Sequence, residues 1–204
     1  MLKSGKRVLN FDESVLHMTV GRRYSWCSRG KPNLRILGKE LAGLSVLLAV
    51  SSEGELYLQY LDGTNTEVTV ASFFLDLVET LDKQDPDWRG QTMIVLDNCS
   101  SHKTRLVRAV FEKLRVPTMY SAPASYAALP IELLFGAIKT AKLPALSTAD
   151  DAKLKGKGIK RLTNKQAMMV SVADYLRSLS KTSIRHIFNE QFSKLLAFLR
   201  MEKV

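Results

Sequence analysis

Met93-Ile94-Val95-Leu96-Asp97 sets four apolar residues in a row and closes them with a carboxylate. A run this short and this apolar reads as a buried strand. Its flanks carry a different period. Upstream, Val70, Phe73, Phe74, Leu77, Val78 and Leu81 fall at helical spacing within Thr69 to Leu81, and Asp85-Pro86 ends that helix. Downstream, Leu106, Val107, Val110, Phe111 and Leu114 share one face of a helix near 103–114, and a short strand follows over Val116 to Tyr120. Towards the N-terminus, Val8-Leu9-Asn10-Phe11 closed by Asp12 makes a strand over Lys6 to Asp12. Leu44 to Val50 and Leu56 to Leu61 read as a hairpin around Ser52-Glu53-Gly54, while Ser14 to Pro32 reads as irregular. A hairpin followed by βαβ units predicts an α/β fold, a mixed five-stranded sheet flanked by helices.

Two acids, Asp12 and Asp97, thus end buried strands, where open α/β sheets place their ligands. A third, Glu132, follows Pro130 at the start of a helix running to about Ala141, with proline at the first helical position. Ile131, Leu134, Phe135 and Ile138 should face the core, leaving Glu132, Gly136 and Lys139 on a neighbouring stripe. Lys139 is placed to reach a phosphate across the site. Three carboxylates converging at one sheet edge repel one another unless a cation lies between them. An all-oxygen donor set suits Mg²⁺ or Mn²⁺, and two such ions serve in-line phosphodiester displacement. Each acid alone has a plainer reading: a turn former or cap for either Asp, a dipole partner for Glu132.

The chain has 204 residues, enough for one substantial core, with 30 basic against 20 acidic residues and a net charge of +10. That balance favours a polyanion, nucleic acid before membrane. No apolar run reaches membrane-spanning length. Cys27 and Cys99 lack both disulfide-framework and metal-site spacing, which fits a reduced intracellular compartment. His17 and His186 have no metal-like neighbours and read as structural. After Lys142 the composition changes. The expected division is a catalytic core over 1–142, a basic flexible linker over 143–162, and C-terminal helices over 163–204 packed on the core. The linker carries Lys153, Lys155, Lys157, Lys160 and Arg161, a solvated run by its composition. Thr163-Asn164-Lys165-Gln166 has a capping-box pattern, and a last helix over Thr182 to Met201 places Ile184, Phe188, Leu195 and Leu199 on one face.

Several stretches resemble the catalytic domain of mariner-type DDE transposases, the branch that includes bacterial insertion-sequence transposases and ciliate transposons. They are Phe11-Asp12-Glu13-Ser14, Val95 through Asp97-Asn98-Cys99-Ser100-Ser101-His102-Lys103, and Tyr120-Ser121-Ala122-Pro123 with Leu129-Pro130-Ile131-Glu132, Leu134-Phe135 and Ile138-Lys139. The gap of 34 residues between Asp97 and Glu132 matches the branch that uses Asp, Asp and Glu. The resemblance covers about residues 6 to 142. It implies an RNase H-like fold, Mg²⁺ or Mn²⁺ dependence with two ions, and DNA cleavage followed by strand transfer. By motif Asp12, Asp97 and Glu132 are the catalytic metal ligands, and Asn98 and His102 line the site. The implied partners are transposon ends, target DNA and a second copy of the chain, in the nucleus of a eukaryote or the cytoplasm and nucleoid of a bacterium.

This sequence departs from the family in two places. Where the group usually has Ser-Pro-Asp-Leu-Asn-Pro-Ile-Glu, the chain reads Ser125-Tyr126-Ala127-Ala128-Leu129-Pro130-Ile131-Glu132, without the polar groups that would cap the helix or order the loop. Only 11 residues precede Asp12, where related transposases carry helix-turn-helix domains, so the expectation is a fragment, a split reading frame or a decayed copy. Arg22, Arg23, Trp26, Arg29 and Lys31 interleave charge and aromatics in a loop suited to DNA backbone contact, and Lys103 joins that set. The loop reads about equally as surface with Trp26 packed on the core, and the resemblance implies a further role for it as a clamp on a partner subunit. Two further functions stay open: another RNase H-like nuclease, or a catalytically inactive transposon-derived DNA-binding or assembly protein.

Overall fold

The computed structural model describes residues 6–16, 43–61, 63–122, 129–141 and 164–201. Five strands form one sheet: β1 (Arg7–Leu16), β2 (Leu44–Ser51), β3 (Leu56–Leu61), β4 (Thr92–Leu96) and β5 (Thr118–Tyr120), in the order β3-β2-β1-β4-β5. β1, β2 and β3 pair antiparallel, while β1–β4 and β4–β5 are parallel. The helices are α1 (Glu67–Gln84), α2 (Trp88–Gln91), α3 (Arg105–Leu114), α4 (Pro130–Thr140), α5 (Asn164–Ser178) and α6 (Lys181–Met201), with a 3₁₀ turn over Ser100–Lys103.

Both faces of the sheet are covered. Leu9, Phe11, Ile94 and Leu96 pack with Phe73, Phe74 and Leu77 of α1 and Val107 and Phe111 of α3. Val8, Leu16, Val46 and Val95 pack on the other side with Ile131, Leu134, Phe135 and Ile138 of α4. Met168, Val172 and Leu176 of α5 and Ile184 and Phe188 of α6 join that second core. The Glu132 helix therefore buries the stripe that its spacing predicts. α3 is narrower than expected: it begins at Arg105, and Leu106 is 38% exposed because Val107 and Phe111 set its buried line.

One expectation is corrected. Asp12 does not end β1. The strand runs four residues further, held by antiparallel pairs with β2 from Asp12 with Leu48 to Leu16 with Leu44. The apolar run stops there because β1's parallel neighbour stops, not because the strand does.

The C-terminal helices are seated against the hairpin turn. Gly54 has φ +88°, and a Cβ there would lie 2.7 Å from the Lys181 carbonyl oxygen at the start of α6. Arg185 Nε also donates to the Glu53 carbonyl at 3.1 Å. Gly54→Ala should therefore lower stability by about 2 kcal/mol or more, through a strained φ and a backbone overlap. Urea midpoints check this, and an unchanged midpoint would show that α6 is not held at that turn.

Candidate active site

Side chains alternate along a strand, so the two cores tell which way each one points. Val8 and Leu16 of β1 and Val95 of β4 lie under α4. Asn10 and Asp12 share that face by alternation, whereas Glu13 points with Phe11 to the α1–α3 side. Phe11 pairs with Leu96, the last residue of β4. Asp97 follows directly and comes up beside Asp12 where β4 ends. One oxygen from each carboxylate and one nitrogen of His102 lie within 4.8 Å of one another. Glu132, in the first turn of α4, is outside that tight group, yet its charge is among those that act on Asp12.

The electrostatics show how crowded the site is. Burial is the main force on the Asp12 carboxyl, and the charges of Glu13, Asp97 and Glu132 add to it, so its pKa rises from 3.8 to about 7. The Glu13 N–H, donating to Asp12 Oδ1 at 2.8 Å, opposes this only in part. His102 is fully buried, between two carboxylates. Its Nε2 is 2.6 Å from Glu13 Oε2. Its Nδ1 is 2.6 Å from Asp97 Oδ1, though off the line of a hydrogen bond, so that contact is one of charge. Burial, the largest single influence, pulls the imidazole pKa down. The Glu13 hydrogen bond and the charges of Glu13, Asp97 and Asp12 outweigh it, and the result is about 9. With a carboxylate against each nitrogen, His102 clamps Asp97 in place. Its buried Nδ1 makes no hydrogen bond, and the ring stands with Asp12 and Asp97 in the one group of donor atoms, among the described residues, that could hold an ion.

The surrounding contacts hold that clamp. Tyr120 donates its hydroxyl to the His102 carbonyl at 2.9 Å, and the His102 ring sits 5.5 Å from the Phe11 ring. Ser101 donates to Glu13 Oε1 at 3.3 Å, and the Cys99 N–H donates to Asp97 Oδ1 at 3.0 Å. Cys99 itself is free and exposed. Asn98 has a buried side-chain oxygen with no hydrogen-bond partner.

Of the other expected site residues, Lys139 is exposed, its Nζ 5.8 Å from the Phe135 ring of its own helix, and Lys103 lies over Tyr120 at 5.1 Å. Neither is drawn into the acidic group. Arg22, Arg23, Trp26, Arg29 and Lys31 lie outside the described residues, as does the 143–162 stretch. Sequence reasoning gave no role to Glu13 or Asn10. The signal for Glu13 was its place next to Asp12 on a strand that continues, and so on the opposite face.

A family model described as a DDE superfamily endonuclease matches residues 7–155. No curated protein matches the chain. Among solved structures it is similar to a pre-cleavage Mos1 transpososome, with TM-score 0.63, 15% identity, and coverage of 93% of this chain and 55% of that one. It is also similar to the Mos1 Strand Transfer Complex, with TM-score 0.60, 15% identity, and coverage of 93% and 52%. A mariner Mos1 paired end complex with Mg gives TM-score 0.58 and 16% identity, covering 94% and 55%. At such identities the likeness is one of fold, the RNase H-like sheet and its helices. The chain spans about half the length of those transposase chains. With the family model spanning most of its length, the chain belongs to the DDE superfamily endonucleases.

Proposed function

We propose that this chain is a transposase catalytic domain that cleaves DNA phosphodiester bonds and transfers strands with Mg²⁺ or Mn²⁺. The observation that carries it is the register of β1 on β4, which brings Asp12 and Asp97 together beneath the helix bearing Glu132. Asp12, Asp97 and Glu132 would hold the ions. The donor set fits: Asp12 and Asp97 bring carboxylate oxygens within 4.8 Å of one another. Burial, together with the charges of Glu13, Asp97 and Glu132, disfavours the bare Asp12 carboxylate, which a bound cation would relieve. When bound, a pair of divalent ions supplies an activated water or 3′-hydroxyl and stabilises the leaving oxygen. The chain's own part is to hold the acids in register, with Glu13 and His102 steadying Asp97 from behind. Asn98, next to Asp97, offers an unmet acceptor at the same strand end. The net charge of +10 favours DNA.

We further propose that the working form is a dimer that acts on transposon ends. The Mos1 structures named above are transpososome and paired-end complexes, which is the kind of assembly this reading needs.

Supercoiled plasmid with Mg²⁺ or Mn²⁺ tests the proposal. The parent should nick it, and Asp97→Ala should be slower by about a thousandfold or more. Equal nicking by both proteins would assign the activity elsewhere. One departure favours the inactive remnant as a second reading: the polar residues that the family usually carries just before the glutamate are replaced in Ser125-Tyr126-Ala127-Ala128-Leu129. Metal-independent DNA binding without cleavage would decide for it.

A further inference from the structure

The start of α4 lacks a cap of its own. Leu129 stands at the N-cap position with no side-chain bond, and Pro130 at the first helical position has no N–H to give. The next donor, the Ile131 N–H, belongs to a residue with no solvent exposure, where an unmet donor is costly. It is met from another element. Asn10 Oδ1, on β1, accepts it at 3.0 Å. The other end of the same amide, Asn10 Nδ2, donates to the Val95 carbonyl on β4 at 3.1 Å. Asn10 is 1% exposed and pairs with Val95 in the sheet register.

We propose that Asn10 is a positioning residue, a helix cap supplied by the central strand, which ties together the three elements that carry the acids. Its own strand bears Asp12 two residues on. The carbonyl it holds lies two residues before Asp97, and the amide it holds lies one residue before Glu132. An N-cap side chain normally accepts from the second or third helical N–H, and Ile131 is the second. The site needs a donor and an acceptor on one short side chain. Asn has both, Asp when ionised has no donor, and Leu has neither. The effect on Glu132 rests on the function proposed above; the capping itself does not.

Amide exchange in metal-free protein tests the cap. In Asn10→Ala, Ile131 should exchange about tenfold faster or more, relative to the sheet amide of Ile94. Adding Leu129→Asn to that variant restores a local acceptor and should slow Ile131 again. Should Asn10→Ala be too unstable to purify, the double variant must still fold; if it does not, or if Ile131 exchange is unchanged in Asn10→Ala, the cap is refuted. Mn²⁺ titration tests positioning. Asn10→Ala should raise the Mn²⁺ dissociation constant about tenfold, in the range seen for groups that orient metal ligands. That loss should vanish in a Glu132→Gln background, because Asn10 acts through Glu132. An undiminished loss there overturns the positioning role. A parent that binds no Mn²⁺ overturns the metal reading and the positioning role with it, while Ile131 exchange still decides the cap.

Discussion

Asp12→Asn is expected to abolish plasmid nicking while making the metal-free protein more stable at pH 8. The two effects have one cause. Asp12 is half-buried, close to the charges of Glu13, Asp97 and Glu132, and its carboxyl is driven from 3.8 to about 7. Keeping it ionised above pH 7 costs the fold on the order of 4 kcal/mol at most, at about 1.4 kcal/mol for each unit of pKa. Solvent reaching the half-buried side chain reduces this, so a gain of about 1–3 kcal/mol is the expected size. For a domain of this length that is a rise of roughly 3–10 °C in melting temperature. Asparagine keeps the acceptor for the Glu13 N–H, so that local hydrogen bond of β1 is retained. Activity should fall by about a thousandfold or more, since an amide oxygen cannot replace a carboxylate on divalent ions. Thermal unfolding in EDTA and nicking in Mg²⁺ check the two halves separately. A variant that melts lower in EDTA would show that Asp12 stabilises the fold, contrary to the strain inferred for it.

The elements were legible where one period ran long enough to be unambiguous. α4's stripe of Ile131, Leu134, Phe135 and Ile138 is an example, and so is the apolar run of β4. β1 was legible only to Asp12, because its continuation through Glu13-Ser14-Val15 does not look like a buried strand. Ser14 is buried and Val15 is exposed, the reverse of what their side chains advertise. Local patterning cannot show that, since it depends on how far a neighbouring strand extends.

The site divides in the same way. Asp12 and Asp97 were readable as strand-end acids, and Glu132 as a helix-start acid. The Glu13–His102–Asp97 chain was not, because it joins residues 89 apart in sequence through a register that only the fold sets. Leu129 shows the limit most clearly. The missing polar cap was visible in the sequence, but its replacement by Asn10 lies 121 residues from the amide it serves. Asn10 itself interrupts an apolar run and looks like a blemish in a strand until both of its bonds are seen.

Without divalent metal, the protein should lose stability steadily from pH 5 to pH 9, and Mg²⁺ or Mn²⁺ should restore it increasingly as pH rises. Asp12 has a pKa of about 7 in the fold against 3.8 outside it, so its protonated form favours the folded state. That contribution is complete below pH 3.8 and is lost as pH rises through 7. His102 stands at about 9 against 6.5, so its contribution is complete below 6.5 and is lost as pH passes 9. Both slopes have the same sign, and above pH 5 most other carboxylates are already ionised and oppose them little. Divalent ions bind the deprotonated acids and must displace a proton from Asp12 below pH 7, so their benefit is small at pH 5. At pH 8.5, metal at about a hundred times its dissociation constant should stabilise by about 2.7 kcal/mol. Melting curves in EDTA and in Mg²⁺ across that range make the comparison. A melting temperature that climbs from pH 5 to 8 in EDTA would contradict it, as would a metal-induced rise equal at both ends. Asp12→Asn sharpens the result, because it should flatten the EDTA profile below pH 7 and leave the segment above it, which belongs to His102 and its carboxylates.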